Sequence, residues 1–289
     1  MDSSQLNHEA VMIESSLFLE PDKNAPSKHS GVKKDLKHIF FLIYLYLLQG
    51  VPLGLAASIP FLLATRKVSY ADQGTFTFAF YPFSIKLLWA PIVDSCFFSR
   101  FGRRKSWLIP VQVLIGVFMI ASANFAQSLA YNLNSKTDVV ILTGIFTIFT
   151  FLAATQDIAL DGWAISMLSK ENVAWQSTCN GVGQTAGFFI GNISIIVFES
   201  AKFCNKYIRP FFNLPSQDSG IISLEKFMYA FGIVFLATAF LIMFKKELEN
   251  QDPDDQSGGL IESYLNIKKL LSLKSIQKVA LIFLTAKRA

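Results

Sequence analysis

Long apolar stretches without charged side chains constrain the fold of this chain more than any other feature of its sequence. The first runs from Ile39 to Thr65 and contains no Asp, Glu, Lys or Arg. A helix needs about 20 apolar residues to cross a bilayer core, and internal prolines such as Pro52 and Pro60 are tolerated there. Hydrophobic residues make up 52% of the chain and charged residues only 16%, against about 25% in soluble domains. The sequence therefore predicts an all-α membrane protein.

Six long apolar stretches, two of which contain charged residues, predict a six-helix amino-terminal bundle over residues 38–245. Their ranges are about 39–65, 75–93, 106–130 and 139–168, with a fifth span between Glu171 and Glu199 and a sixth between Lys226 and Lys245. Residues 1–37 are polar and are predicted to form a disordered tail. Residues 246–278 are acidic first and then amphipathic, which favours a linker with a helix in the membrane interface. Residues 279–289 are interpreted as the truncated start of a seventh span.

Lysine and arginine residues predict the orientation of the bundle. Four lysines lie between residues 28 and 37, just before the first span, and a basic cluster containing Arg103, Arg104 and Lys105 follows the second. Basic residues near the first spans are retained on the cytosolic side. The amino terminus and the linker are therefore expected in the cytosol, with membrane lipid as a partner. Association with further copies of the chain stays open, and nucleic acid is not an expected partner.

Enzyme and cofactor motifs are missing from the sequence. It contains no GxxxxGK[ST], HExxH or CxxC pattern, and its three histidines lie in the tail and at its edge. We therefore predict no catalytic residue, no metal site and no cofactor. The glycines Gly183, Gly187 and Gly191 recur every four residues, a spacing that favours close helix packing over nucleotide binding.

Charged residues inside or beside the spans are the candidates for function, because each costs about 2.5 to 3.5 kcal/mol in the bilayer and needs a partner or a cavity. Two carboxylates in the fourth span are four residues apart and share a helix face. With the second-span carboxylate and the basic loop they form a predicted gating charge cluster: Asp94, Arg103, Arg104, Lys105, Asp157 and Asp161. Proton coupling is the alternative role for the pair in the fourth span.

Lys86 is the main substrate-path candidate, with Gln49 of the first span as the second. Lys86 lies about midway along the second span, between Pro82 and Pro91. A lysine at this depth either meets an anionic substrate or neutralises a carboxylate on a neighbouring helix. The sequence favours neither role.

Several motifs resemble known transporter families. Asp94 followed by Gly102-Arg103-Arg104-Lys105 resembles the loop signature of the major facilitator superfamily, although seven residues separate Asp94 from Gly102. Three further runs are residues 49–54, 86–94 with 102–107, and 154–164. They closely resemble the acetyl-coenzyme A transporter family of the endoplasmic reticulum membrane. The run at residues 154–164 is also similar, more distantly, to bacterial muropeptide permeases.

The resemblance implies a transporter that moves acetyl-CoA from the cytosol into the lumen of the endoplasmic reticulum by alternating access between two six-helix bundles. Three alternatives stay open: a carrier of another organic anion such as a muropeptide, an incomplete chain without transport activity, and a membrane-embedded acetyltransferase. The acetyltransferase is disfavoured because such an enzyme commonly uses a histidine base, and none lies in mid-membrane.

Overall fold

The structure is a computed structural model that describes residues 28–98, 102–132, 135–245, 260–273, 276–278 and 282. Within these residues the chain is helical and contains no strand, as the sequence predicts. The α-helices are α1 (Lys28–Thr65), α2 (Tyr70–Phe76), α3 (Tyr81–Ile85), α4 (Ala90–Ser95), α5 (Lys105–Tyr131), α6 (Lys136–Met167), α7 (Trp175–Phe198), α8 (Ala201–Phe203), α9 (Arg209–Phe211), α10 (Leu224–Phe244) and α11 (Leu260–Ser272).

Five of these helices are long and apolar enough to cross a membrane, namely α1, α5, α6, α7 and α10. They match five of the six predicted spans. Helix α1 packs along α7, α5 packs along both α6 and α10, and α6 also packs against α1. Aliphatic and aromatic side chains at these contacts, such as Ile59, Met119 and Phe146, are fully buried.

The region of the second predicted span is divided into short helical segments, which we call the segmented region (Tyr70–Ser95). Helices α2, α3 and α4 are joined there by 3-10 turns at Thr77–Phe80 and Lys86–Leu88. Pro82 and Pro91 account for the division, because proline has no N–H to donate and its ring clashes with the preceding helical turn. The segmented region packs against α6 along its length.

The amino-terminal boundary differs from the prediction, because α1 begins at Lys28 and residues 28–37 are helical. Hydrogen bonds to a buried carboxylate hold this extension against the loop after α6. The Asp35 carboxylate accepts hydrogen bonds from Ser169, through its backbone N–H (3.1 Å) and hydroxyl (2.5 Å), and from the Asn172 amide (2.8 Å). A polar stretch therefore becomes ordered where the loop after α6 satisfies its buried carboxylate.

Helix α11 (Leu260–Ser272) lies within residues 246–278, where the sequence predicts a linker with an amphipathic helix. This helix packs against α4 at the end of the segmented region. The predicted tail up to residue 27, residues 246–259, and the predicted start of a seventh span, apart from Ile282, lie outside the described residues.

Candidate functional site

A buried ion pair joins the segmented region to α6. The Lys86 ammonium binds one carboxylate oxygen of Asp157, and the Gln49 amide of α1 donates to the other at 2.5 Å. Asp157 is 1% exposed, whereas the Lys86 side chain is 34% exposed. The lysine therefore compensates a buried carboxylate and is still open to an approaching anion.

One helical turn further along α6, Asp161 joins three helices. It accepts hydrogen bonds from the Tyr46 hydroxyl of α1 (2.7 Å) and from two amides of α7, Gln176 (2.8 Å) and Asn180 (3.2 Å). Uncharged donors satisfy this carboxylate, in contrast to Asp157. The two aspartates share a face of α6, as their spacing predicts, but their partners differ.

A second ion pair lies at the end of the segmented region, on the side that the predicted orientation assigns to the cytosol. The Arg104 guanidinium binds the Asp94 carboxylate, and Arg103 Nε donates to the Asp94 backbone carbonyl at 2.9 Å. Gly162 of α6 makes room for this arrangement, because a Cβ at that position would overlap the Arg104 guanidinium. The predicted Asp94–arginine contact is therefore formed beside α6.

Some of these groups line a pocket of about 330 Å³. We call the set of side chains the polar seam: Tyr46, Gln49, Lys86, Asp94, Arg104, Asp157 and Asp161. Four of them face the pocket itself, namely Lys86, Asp94, Arg104 and Asp161. Two cations beside two carboxylates give a site in which an anionic ligand can exchange partners with the protein's own acids.

The structure separates the predicted gating cluster into distinct parts. Asp157 pairs with Lys86, whereas Asp94 pairs with Arg104. Lys105 donates from its ammonium to the backbone carbonyls of Met243 (3.0 Å) and Lys245 (2.8 Å). It therefore caps the end of α10, where a cation interacts favourably with unpaired carbonyls.

Sequence reasoning identified Gln49 but missed Tyr46 and a buried pair of amides. Tyr46 and Gln49 are three residues apart and therefore share a face of α1, and this spacing could have indicated a polar face. Gln112 and Gln156 form a buried amide pair between α5 and α6, at 2.8 Å. Pairing of this kind depends on helix packing, so the sequence does not reveal it.

A larger cavity of about 630 Å³ lies at the opposite end of the bundle. Its wall includes Arg66, Glu199, Asp218 and Lys226. Burial raises the pKa of Glu199 to about 7, against the opposing effect of Arg66. The guanidinium of Arg66 lies 4.4 Å from the centre of the Tyr131 ring. The sequence did not predict this cavity, because a long loop after α7 forms one side of it.

Apolar helices around a charged and partly open seam define a multi-pass membrane protein. Comparison with known proteins then identifies the family: the family model described as acetyl-coenzyme A transporter 1 matches residues 38–255. The chain belongs to this acetyl-coenzyme A transporter family, as the sequence motifs predicted.

The relatives include fungal and bacterial membrane proteins. An uncharacterized protein of Schizosaccharomyces pombe is 33% identical over 95% of this chain and 54% of its own length. An uncharacterized membrane protein of Saccharomyces cerevisiae is 34% identical over 91% of this chain and 55% of its own length. The anhydromuropeptide permease of Escherichia coli is 25% identical over 52% of this chain and 29% of its own length. The chain thus spans about half the length of the two fungal relatives.

Proposed function

We propose that this chain forms the amino-terminal six-span bundle of a major facilitator transporter that moves acetyl-CoA from the cytosol into the lumen of the endoplasmic reticulum. The match of residues 38–255 to the acetyl-coenzyme A transporter family carries this proposal. The segmented region would supply the second span. A second bundle, for which the additional length of the relatives leaves room, would complete the alternating-access path.

The chemistry of the polar seam supports an anionic substrate. Coenzyme A carries several phosphate charges, and phosphates are bound by lysine, arginine and helix amino termini. Lys86 and Arg104 both face the pocket, each beside a carboxylate. A phosphate entering the pocket would compete with Asp157 and Asp94 for these cations.

This competition suggests how binding and movement are coupled. With Lys86 drawn to a phosphate, Asp157 would lose its cation and the segmented region would lose its ion pair to α6. Breaking one arrangement of charges while forming another is a common way for a helix contact to switch between two states. The two roles considered for Lys86, neutralising a carboxylate and meeting the substrate, would then occur in succession.

Orientation and location follow from the same proposal. The pocket lies beside Arg104, in the basic loop that the distribution of lysine and arginine assigns to the cytosol. We therefore propose that the pocket faces the cytosol in this conformation. The amino terminus would share that side, in the membrane of the endoplasmic reticulum.

Uptake by sealed microsomes tests the proposed function. Microsomes from cells that express the protein should accumulate labelled acetyl-CoA in the lumen, and microsomes from cells in which its gene is deleted should lose that uptake. Restoring the gene should restore it, whereas a Lys86→Gln gene should not. Equal uptake with and without the gene would refute acetyl-CoA as the substrate.

A second candidate follows from the partial similarity to the anhydromuropeptide permease. In the same microsomes, excess unlabelled anhydromuropeptide should leave acetyl-CoA uptake unchanged. Displacement of acetyl-CoA by the muropeptide, together with gene-dependent uptake of labelled muropeptide, would favour this second substrate class.

A further inference from the structure

The linker helix α11 makes a specific polar contact with the segmented region. The Tyr264 hydroxyl donates to the Leu88 backbone carbonyl at 2.8 Å. Beside it, the hydroxyls of Ser263 and Ser95 are 3.4 Å apart. A helix that the sequence predicts only as an interfacial linker therefore contacts the helix break next to Lys86.

The Leu88 carbonyl is available because the segmented region is not a continuous α-helix. In such a helix it would accept from the Ile92 N–H, but this N–H donates to the Trp89 carbonyl at 3.0 Å. The residue three positions after Leu88 is Pro91, which has no N–H to offer instead. The Tyr264 hydroxyl thus satisfies a carbonyl that the break leaves open.

Leu88 and Lys86 belong to the same 3-10 turn. The Trp89 N–H closes that turn by donating to the Lys86 carbonyl at 3.3 Å. The ammonium of Lys86 extends from the turn to Asp157 on α6. The position of the turn therefore sets the point from which the Lys86 side chain reaches Asp157.

We propose that Tyr264 is a positioning residue for Lys86. Its hydroxyl holds the turn Lys86–Leu88 in place, so that α11 sets where the Lys86 ammonium lies relative to Asp157. The consequence for transport rests on the proposed function, whereas the positioning itself can be measured without any substrate. Tyr264→Phe is the matched variant, because it removes the hydroxyl and keeps the ring.

Hydrogen exchange of the purified full chain in lipid nanodiscs tests the positioning. Losing one hydrogen bond should speed amide exchange in residues 86–95 about fivefold in Tyr264→Phe. Tyr207→Phe is the control, since Tyr207 is exposed and lies in the loop after α7. Unchanged exchange in residues 86–95 of Tyr264→Phe would overturn the proposal, whatever the transport activity.

Kinetics of acetyl-CoA uptake by microsomes test the consequence. Tyr264→Phe should raise the KM about fivefold and keep the maximal rate within about twofold, since the hydroxyl affects binding through Lys86. Tyr207→Phe should alter neither value. A fall in maximal rate at unchanged KM would overturn the role in binding. Faster exchange in a protein that transports no acetyl-CoA would support the positioning and refute the proposed function.

Discussion

Helix α1 has two faces that hold their neighbours in different ways. Gly50 faces α7, and a Cβ on it would overlap the Gln184 carbonyl oxygen. Gln49, one residue earlier, faces α6 and donates to Asp157. We call the first contact the glycine seam: Gly50, Gly54, Gly183, Gly187 and Gly191. The second contact is part of the polar seam.

The difference indicates which contact can change in the transport cycle proposed above. At the glycine seam the two backbones touch, and a close-packed contact of this kind has little room for sliding. At the polar seam the helices are held by ion pairs and hydrogen bonds, whose partners a ligand can replace. We therefore expect α1 and α7 to move together, and the segmented region and α6 to shift against them.

The largest effect is expected at the glycine seam. In Gly187→Leu, the Cβ alone would overlap the Leu47 backbone carbonyl, so α1 and α7 would have to separate. Overpacking costs about 1–3 kcal/mol or more, and here the obstacle is backbone. The yield of folded monomer in size-exclusion chromatography should fall sharply. Gly181→Leu is the control, because no atom lies within 4 Å of a Cβ there. Equal yields would show that the contact between α1 and α7 has room for a larger side chain.

A slightly smaller effect is expected from Lys86→Gln. This change leaves the buried Asp157 carboxylate without its cation, at a cost of about 3 kcal/mol or less because Lys86 is partly exposed. The melting temperature in nanodiscs should fall, and adding Asp157→Asn should recover most of the loss. Lys136→Gln, in the exposed first turn of α6, should melt like the unmodified protein. A double variant no more stable than Lys86→Gln would argue against a paired role.

Gly162→Ala should have a moderate effect confined to the second ion pair. The added methyl group would displace the Arg104 guanidinium, a flexible group that can move, so the expected cost is about 1 kcal/mol. The fractional loss of acetyl-CoA uptake should exceed the fractional loss of folded protein, because Arg104 faces the pocket. Gly144→Ala, with open space at its Cβ, serves as the control. An unchanged uptake rate would remove the Asp94–Arg104 contact from the transport cycle.

The smallest effect is expected from a polar contact outside the seam. The hydroxyls of Tyr44 on α1 and Thr238 on α10 lie 2.6 Å apart. Hydrogen bonds between membrane helices contribute about 0.6 kcal/mol on average, so Tyr44→Phe should lower the melting temperature slightly and leave uptake unchanged. A loss of uptake as large as that of Lys86→Gln would erase the distinction between the polar seam and other polar contacts.

The sequence predicts much of the fold because bilayer helices leave a one-dimensional pattern of apolar residues. The five long helices follow that pattern, and the glycine spacing in α7 correctly indicates a packing face. The break near Lys86 is not predicted in detail, since prolines such as Pro52 are tolerated inside α1 while Pro91 divides the segmented region. Whether a proline breaks a helix depends on neighbours that satisfy the freed carbonyls, and these come from distant parts of the chain.

The site is predicted in its residues better than in its pairings. Lys86 and Gln49 emerge from the sequence as polar groups in apolar surroundings, and both meet at Asp157. Lys105 was grouped with its neighbours in the basic loop, yet it reaches the end of α10. Which charge meets which depends on the rotation and depth of each helix, and the hydropathy pattern fixes neither closely.

Acetyl-CoA uptake by microsomes carrying the Lys86→Gln and Asp157→Asn double variant tests the central claim most directly. The claim is that Lys86 leaves Asp157 for the substrate, and that the pair is more than a structural bridge. The double variant should therefore be nearly as stable as the unmodified protein. It should nevertheless transport acetyl-CoA at least tenfold more slowly, which corresponds to about 1.4 kcal/mol of activation free energy. Uptake at the unmodified rate in a stable double variant would contradict the claim.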